Sequence, residues 1–143
     1  MKHDDIIDDI VDKLLIANRM DFVDKNCEYH VIINDKDICG EYDISAYNYD
    51  NKAGYVMEIK TTDTPYNRRK ALQQLDKDVE YMKQNYVVNN VYCFYGYSLG
   101  SSYNIEFIKK VNISPDENVF EISKGSTLDE RIELFSKQKS YLN

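Results

Sequence analysis

Two neighbouring segments, GEYDISAY at residues 40–47 and GYVMEIKTT at residues 54–62, predict the centre of the fold. Both are apolar runs with the composition of β-strands, and the polar sequence between them is typical of a turn, so we expect a β-hairpin. Residues two apart in a strand point to the same face of a sheet. Glu58 and Lys60 therefore project together, and pairing of the two segments would bring Asp43 close to them.

These side chains have the chemistry of a site for phosphodiester hydrolysis. Carboxylate oxygens bind hard divalent cations, and a lysine can steady an attacking hydroxide or the phosphate. Glu41 lies two residues before Asp43, on the same strand face, where it could bind a metal, accept a hydrogen bond from Lys60 or pair with a lysine in solvent. The alternative for the whole group is an exposed strand face with a cross-strand ion pair, which contributes little to stability.

The flanking sequence predicts one α/β domain over residues 1–143, with a mixed sheet flanked by helices. Apolar residues recur with helical spacing in the first and the longer second helix, and Thr64 and Pro65 suit an N-cap and a first helical position. We expect helices at residues 3–19, 65–86 and 127–141, and strands at residues 27–33, 38–49, 55–62, 91–97, 103–111 and 118–123.

Composition limits the function classes. Hydrophobic residues make up 43% of the 143 residues and charged residues 30%, which is ordinary for a globular protein. The longest apolar runs are too short to span a membrane, so we expect a cytoplasmic protein without a membrane partner. The net charge of −7 argues against indiscriminate nucleic-acid binding but leaves room for a local basic strip. Three cysteines and two histidines match neither a disulfide framework nor a zinc site.

The arrangement of Asp43, the triplet Glu58-Ile59-Lys60 and a following helix with Gln73 and Gln74 resembles the PD-(D/E)XK nuclease superfamily. That superfamily includes restriction enzymes, Holliday-junction resolvases, RecB-like nucleases and viral nucleases. The resemblance covers about residues 3–97 and implies a restriction-endonuclease-like α-β-β-β-α-β core.

The resemblance also implies roles for individual residues. Asp43 and Glu58 would bind Mg²⁺ or Mn²⁺ together with the carbonyl of Ile59, and Glu41 is a further candidate ligand. Lys60 would orient or help to deprotonate the attacking water. Gln74, or its neighbour Gln73, would match the glutamine that RecB-like and related viral nucleases place near the site.

The sequence departs from the superfamily pattern at three points. Residue 42 is tyrosine rather than proline, and the RecB-like pattern Gln-x-x-x-Tyr is absent because Lys77 lies four residues before Tyr81. Many members carry a glutamate on the first helix, where this chain offers only aspartates. Asp8 and Asp12 both flank the apolar stripe of that helix, and the sequence does not choose between them.

Just after the motif, Arg68, Arg69 and Lys70 open the second predicted helix and are candidates for binding DNA phosphates. The function that these residues and the resemblance together lead us to expect is a metal-dependent DNA nuclease of viral or phage type, with selectivity for junctions or flaps as one expectation. Chains this short often act as dimers, so a homodimer is one expectation. The alternatives are a catalytically inactive nuclease-fold module that binds nucleic acid or a protein, and an unrelated α/β interaction protein.

Overall fold

The computed structural model describes residues 1–113. The predicted strand at 118–123 and helix at 127–141 lie outside these residues. Within them, the chain forms two helices and five strands: α1 (His3–Ala17), β1 (Phe22–Ile33), β2 (Lys36–Asn48), β3 (Ala53–Lys60), α2 (Pro65–Asn85), β4 (Asn90–Leu99) and β5 (Ser102–Asn112).

The five strands form one mixed sheet with the spatial order β1-β2-β3-β4-β5. The β3–β4 pair is parallel because α2 crosses over between these strands, and the other three pairs are antiparallel. The predicted α/β class with a mixed sheet flanked by helices is confirmed. Within residues 1–113, neither helix combines the length and the apolar character needed to cross a membrane.

The two helices cover opposite faces of the sheet. Ile6, Ile10 and Leu14 of α1 belong to the same buried cluster as Met57 and Ile59. Met57 and Ile59 belong to β3, and the alternate positions of β3 face α2 on the other side of the sheet. The buried residues on that side form a second cluster: Tyr47, Val56, Leu75, Val79, Met82, Val88, Val91 and Cys93. Both faces of β3 are therefore buried, which explains its almost continuous apolar sequence.

Local sequence signals account for most of the element boundaries. The side chain of Thr64 accepts a hydrogen bond from the backbone N–H of Asn67 at 3.0 Å, and Pro65 is the first residue of α2, as predicted. Asn34 and Asp35 both have positive φ and form the two-residue turn between β1 and β2. Strand β1 begins five residues earlier than predicted, because Phe22–Lys25 pair with the far end of the long β2.

The strands β2 and β3 separate where the candidate site lies. Their ladder ends at the pair Ile44–Met57. Beyond it, β2 continues in register with β1, while β3 continues beside β4 as far as Lys60. We call this opening the fork. Asp43 and Glu58 are the first residues past the last pair, one on each side of the fork.

Candidate active site

An open cavity of about 580 Å³ lies at the fork. Seven of the residues singled out from the sequence line it: Glu41, Asp43, Glu58, Ile59, Lys60, Lys70 and Gln74. Residues from β2, β3 and α2, far apart in the chain, thus converge on one place. The β2–β3 hairpin brings the two strand acids together, and the crossover helix supplies the glutamine.

Asp43 connects the two sides of the fork. Its Oδ2 atom accepts a hydrogen bond from the backbone N–H of Ile59 at 2.7 Å. The same oxygen lies 3.3 Å from Nε2 of His3, at the start of α1. Burial opposes a charge on His3, but the carboxylates of Asp43 and Asp4 outweigh this effect and raise its pKa. Two other elements, β3 and α1, therefore hold the Asp43 carboxylate in place.

Glu58 shares a buried environment with Asp78 of α2. The exposed fraction is only 4% for Glu58 and 0% for Asp78. Burial raises the pKa of Glu58 well above its usual value, and the neighbouring Asp78 and Asp43 raise it further. Burial also raises the pKa of Asp78, to about 6. Glu58 is within hydrogen-bonding reach of Asp78, and this contact needs a proton because two carboxylates have no donor between them.

Asp78 is fixed by two donors. The hydroxyl of Tyr29 donates to its Oδ1 atom, and Nε2 of Gln74 lies 3.0 Å from the same oxygen. Gln74 Nε2 is also 2.6 Å from the carbonyl oxygen of Glu41 and 3.1 Å from the Tyr29 hydroxyl. Gln74 therefore joins α2 to β1 and β2 beneath the cavity. Gln73 is exposed and does not line the cavity, so the geometry favours Gln74 of the two.

The contact between Tyr29 and Gly40 explains how the Tyr29 hydroxyl reaches the helix. The two residues are partners in the β1–β2 ladder. A Cβ atom on Gly40 would lie 2.6 Å from atoms of the Tyr29 ring, which is too close for any side chain. The glycine thus leaves space for the ring to lie flat across β2 and to reach Asp78.

We expect Tyr29→Phe to lower the free energy of unfolding by about 1–3 kcal/mol, because it removes a hydrogen-bond donor from a buried carboxyl group. Urea denaturation measures this change. The matched control is Tyr47→Phe, which removes a hydroxyl that donates to the half-exposed carbonyl of Val87 at 2.6 Å and should cost less. Equal losses in the two variants would contradict a special role for the Tyr29–Asp78 contact.

The cations near the site differ in how they are paired. Lys60 is half-buried, lines the cavity and has no ion pair or side-chain hydrogen bond within residues 1–113. Lys70 is exposed and also lines the cavity. In contrast, Arg68 forms ion pairs with Glu106 at 2.7 Å and Asp63 at 2.9 Å. Arg69 is exposed, like Lys70. The predicted basic cluster is therefore divided between Arg68, which is held in ion pairs, and the exposed Arg69 and Lys70.

The first-helix acid expected from the resemblance does not reach the cavity. Asp8 and Asp12 are exposed and do not line it, and Asp8 forms an ion pair with Lys25. From the same helix, His3 lines the cavity instead. No sequence pattern pointed to this role of His3. A signal for Asp78 did exist, since it lies within the apolar stripe of α2, four residues after Gln74.

The donor set fits Mg²⁺ or Mn²⁺ better than a metal that needs many protein ligands. Within residues 1–113, no three side chains from His, Cys, Asp and Glu form a group that could hold a metal ion. The candidate donors are the carboxylates of Asp43 and Glu58 and the carbonyl of Ile59. Mg²⁺ commonly keeps several waters and binds one or two carboxylates. Oε2 of Glu58 and Oδ2 of Asp78 are both buried without a hydrogen-bond donor among the described residues, so this pair of acids requires a proton or a nearby positive charge.

The arrangement can thus bring two carboxylates, a backbone carbonyl and an unpaired ammonium to one open cavity. That set can hold a hard cation beside an anionic substrate. No protein-family model, curated protein or solved structure matches this chain.

Proposed function

We propose that this chain is a metal-dependent nuclease of the PD-(D/E)XK type that hydrolyses DNA phosphodiester bonds. The observation that carries the proposal is that Asp43, Glu58 and Lys60 line a single cavity at the fork between β2 and β3. If these residues served only as surface charges, we would not expect them to line a cavity together. We would also not expect Glu58 to be buried, with an exposed fraction of only 4%. Burying a carboxyl group costs free energy, and such a cost is common at functional sites.

Asp43 and Glu58 would hold the cation from the two sides of the fork, with the carbonyl of Ile59 as a third donor. When bound, Mg²⁺ or Mn²⁺ supplies Lewis-acid polarisation of the scissile phosphate. The backbone N–H of Ile59 and the imidazole of His3 orient the Asp43 carboxylate. Asp78 orients Glu58 from the helix side and is itself held by Gln74 and Tyr29.

Lys60 would act on the substrate directly. Its ammonium has no carboxylate partner within residues 1–113, so it can be directed towards a phosphate or towards the water that attacks it. Negative charge increases on the phosphoryl oxygens in the transition state, and a fixed positive charge in a partly buried site stabilises it. The preceding residue, Ile59, is buried in the core and anchors the backbone from which Lys60 projects.

The charge balance of the cavity favours selective over indiscriminate binding. Three acidic side chains and two lysines line it, and the whole chain carries a net charge of −7. A DNA strand would meet repulsion until a divalent cation neutralises the acids. We therefore expect binding to be weak in the absence of the cation and to depend on the local shape of the DNA.

A cleavage assay tests the proposal. Supercoiled plasmid, linear duplex, single-stranded and four-way-junction DNA are incubated with the chain in Mg²⁺, in Mn²⁺ or in a chelator. We expect cleavage of at least one substrate with either metal and none with the chelator. Asp43→Asn, purified in parallel, should be inactive, whereas Asp37→Asn should remain active because Asp37 is exposed elsewhere on the same strand. Cleavage that persists in Asp43→Asn would contradict the proposal.

A catalytically inactive module that binds nucleic acid or a protein is the second candidate. It is favoured by the contact of His3 with Asp43 and by the absence, within residues 1–113, of a third acidic ligand in a metal-binding arrangement. This candidate predicts that the wild-type chain binds one of the four DNA substrates, or a protein, without cleaving any DNA in either metal. The same assay, combined with a gel-shift measurement, separates the two functions.

A further inference from the structure

Tyr66 is a large aromatic residue that the fold leaves uncovered. It is the second residue of α2, and its exposed fraction is 59%. The Cζ atom of Arg69 lies 6.0 Å from the centre of its ring, and Nζ of Lys70 lies 5.6 Å from the same point. One turn of helix thus presents an exposed ring with two cations placed over it at cation–π distances.

This aromatic and cationic group adjoins the candidate active site. Lys70 and Asn67, from the same helical turn, line the cavity that contains Lys60. The turn is held firmly, since Nδ2 of Asn67 donates to the carbonyl and to the hydroxyl of Thr62 at 2.9 and 3.0 Å. The Tyr66 ring does not line the cavity itself but lies 5.6 Å from Nζ of Lys70, which does.

The cations beside the ring are available to a ligand. Arg68 is occupied by Glu106 and Asp63, but Arg69 and Lys70 have no carboxylate partner in the part of the chain that the structure describes. A ring beside unpaired cations is the combination that binds single-stranded nucleic acid, where bases stack on aromatic residues and phosphates meet lysine or arginine.

We propose that Tyr66, Arg69 and Lys70 form a subsite for an unpaired nucleotide next to the scissile phosphate. The proposal rests on the proposed nuclease function and adds a substrate class to it. The ring stacks on the exposed face of a base, and the two cations contact the adjoining phosphates. In a continuous duplex each base face is covered by its neighbours, so the subsite favours single-stranded DNA, or a flap or junction that carries unpaired bases.

Equilibrium binding in a chelator tests the subsite without any cleavage. The probes are a fluorescein-labelled 12-mer of deoxythymidylate and a labelled, fully paired 12-base-pair duplex. We expect Tyr66→Ala to weaken binding of the single strand about tenfold, with a smaller loss for the duplex. Tyr66→Phe keeps the ring and should bind within twofold of the wild type. Tyr49→Ala, which removes a 66% exposed tyrosine outside the cavity, is the matched control and should also be unchanged.

The salt dependence of binding tests the roles of Arg69 and Lys70. Arg69→Gln and Lys70→Gln should each reduce the slope of log affinity against log salt by about 0.7 for the single strand, the value for one lost phosphate contact. The inference is overturned if Tyr66→Ala binds the single strand like the wild type, or loses affinity equally for both probes. If Tyr66 controls binding but the wild-type chain cleaves no DNA with Mg²⁺ or Mn²⁺, the subsite stands and the proposed nuclease function fails.

Discussion

Replacing Glu58 with glutamine is expected to stabilise the folded chain at pH 8 and to abolish its response to divalent cations. Glu58 is buried, and its pKa is raised by burial and by the neighbouring Asp78 and Asp43. At pH 8 the folded chain must therefore keep a proton on Glu58 or accept the repulsion of buried carboxylates. An amide at this position is always neutral, and its NH₂ group can donate to the Asp78 oxygen that has no hydrogen-bond partner among residues 1–113.

The pH dependence follows from the direction of these shifts. A carboxyl group whose pKa is raised in the folded state contributes stability below its unfolded pKa, and this contribution is lost as the pH rises through the folded pKa. The pKa of Asp78 is raised from 3.8 to about 6, and that of Glu58 is raised well above 4.5. We expect the metal-free wild type to lose stability as the pH rises from about 4 through about 6 and beyond, and the Glu58→Gln variant to lose much less.

Denaturation in urea at pH 5 and pH 8, with and without Mg²⁺, measures both effects. At pH 8 without metal, Glu58→Gln should raise the free energy of unfolding by at least about 1.4 kcal/mol, which is the equivalent of one pKa unit. Mg²⁺ at about ten times its dissociation constant should stabilise the wild type by about 1.4 kcal/mol and leave the variant unchanged.

Glu41→Gln is the matched control, because it makes the same chemical change at an exposed position that lines the same cavity. It should alter the metal-free stability by less than about 0.5 kcal/mol. A Glu58→Gln variant that is less stable than the wild type at pH 8 without metal would show that the Glu58 carboxylate supports the fold rather than costing it free energy.

The sequence was most informative where backbone periodicity determines the position of a side chain. The alternation along residues 55–60 predicted that Glu58 and Lys60 lie together, and the hairpin brought Asp43 to the same cavity. The parallel β3–β4 pair with its crossover helix then placed Gln74 beneath that cavity. These positions follow from the alternation of side chains along a strand and from the β3–α2–β4 crossover, since connections of this kind allow only a few chain topologies.

The sequence was less informative where partners come from distant segments. Asp78 was missed because an aspartate on a helix is exposed by default, and only the hydrogen bonds from Tyr29 and Gln74 make a buried position tolerable. His3 lines the cavity because the start of α1 lies next to Asp43 of β2, and the residues of α1 alone do not reveal this contact. The pairing of Arg68 with Glu106 likewise joins α2 to β5 across the fold and could not be read from a run of three basic residues.

Replacing Lys60 with methionine is expected to reduce the rate of metal-dependent DNA cleavage by about 10²–10³-fold, the usual cost of removing one preorganised group that stabilises transition-state charge. Methionine keeps an unbranched apolar stem of similar length, so the half-buried part of the side chain is retained. The ammonium is not expected to bind the cation, and Mg²⁺ should therefore stabilise this variant as it does the wild type.

Single-turnover cleavage with saturating enzyme separates this loss of rate from a loss of DNA binding. Lys110→Met is the matched control, because Lys110 is also half-buried on a strand but does not line the cavity, and its cleavage rate should not change. Lys60→Arg distinguishes two roles. Arginine keeps the positive charge but does not give up a proton, so partial recovery of the rate would assign Lys60 to charge stabilisation, and no recovery would assign it to proton transfer from the attacking water. A Lys60→Met chain that cleaves DNA at the wild-type rate would remove Lys60 from the site.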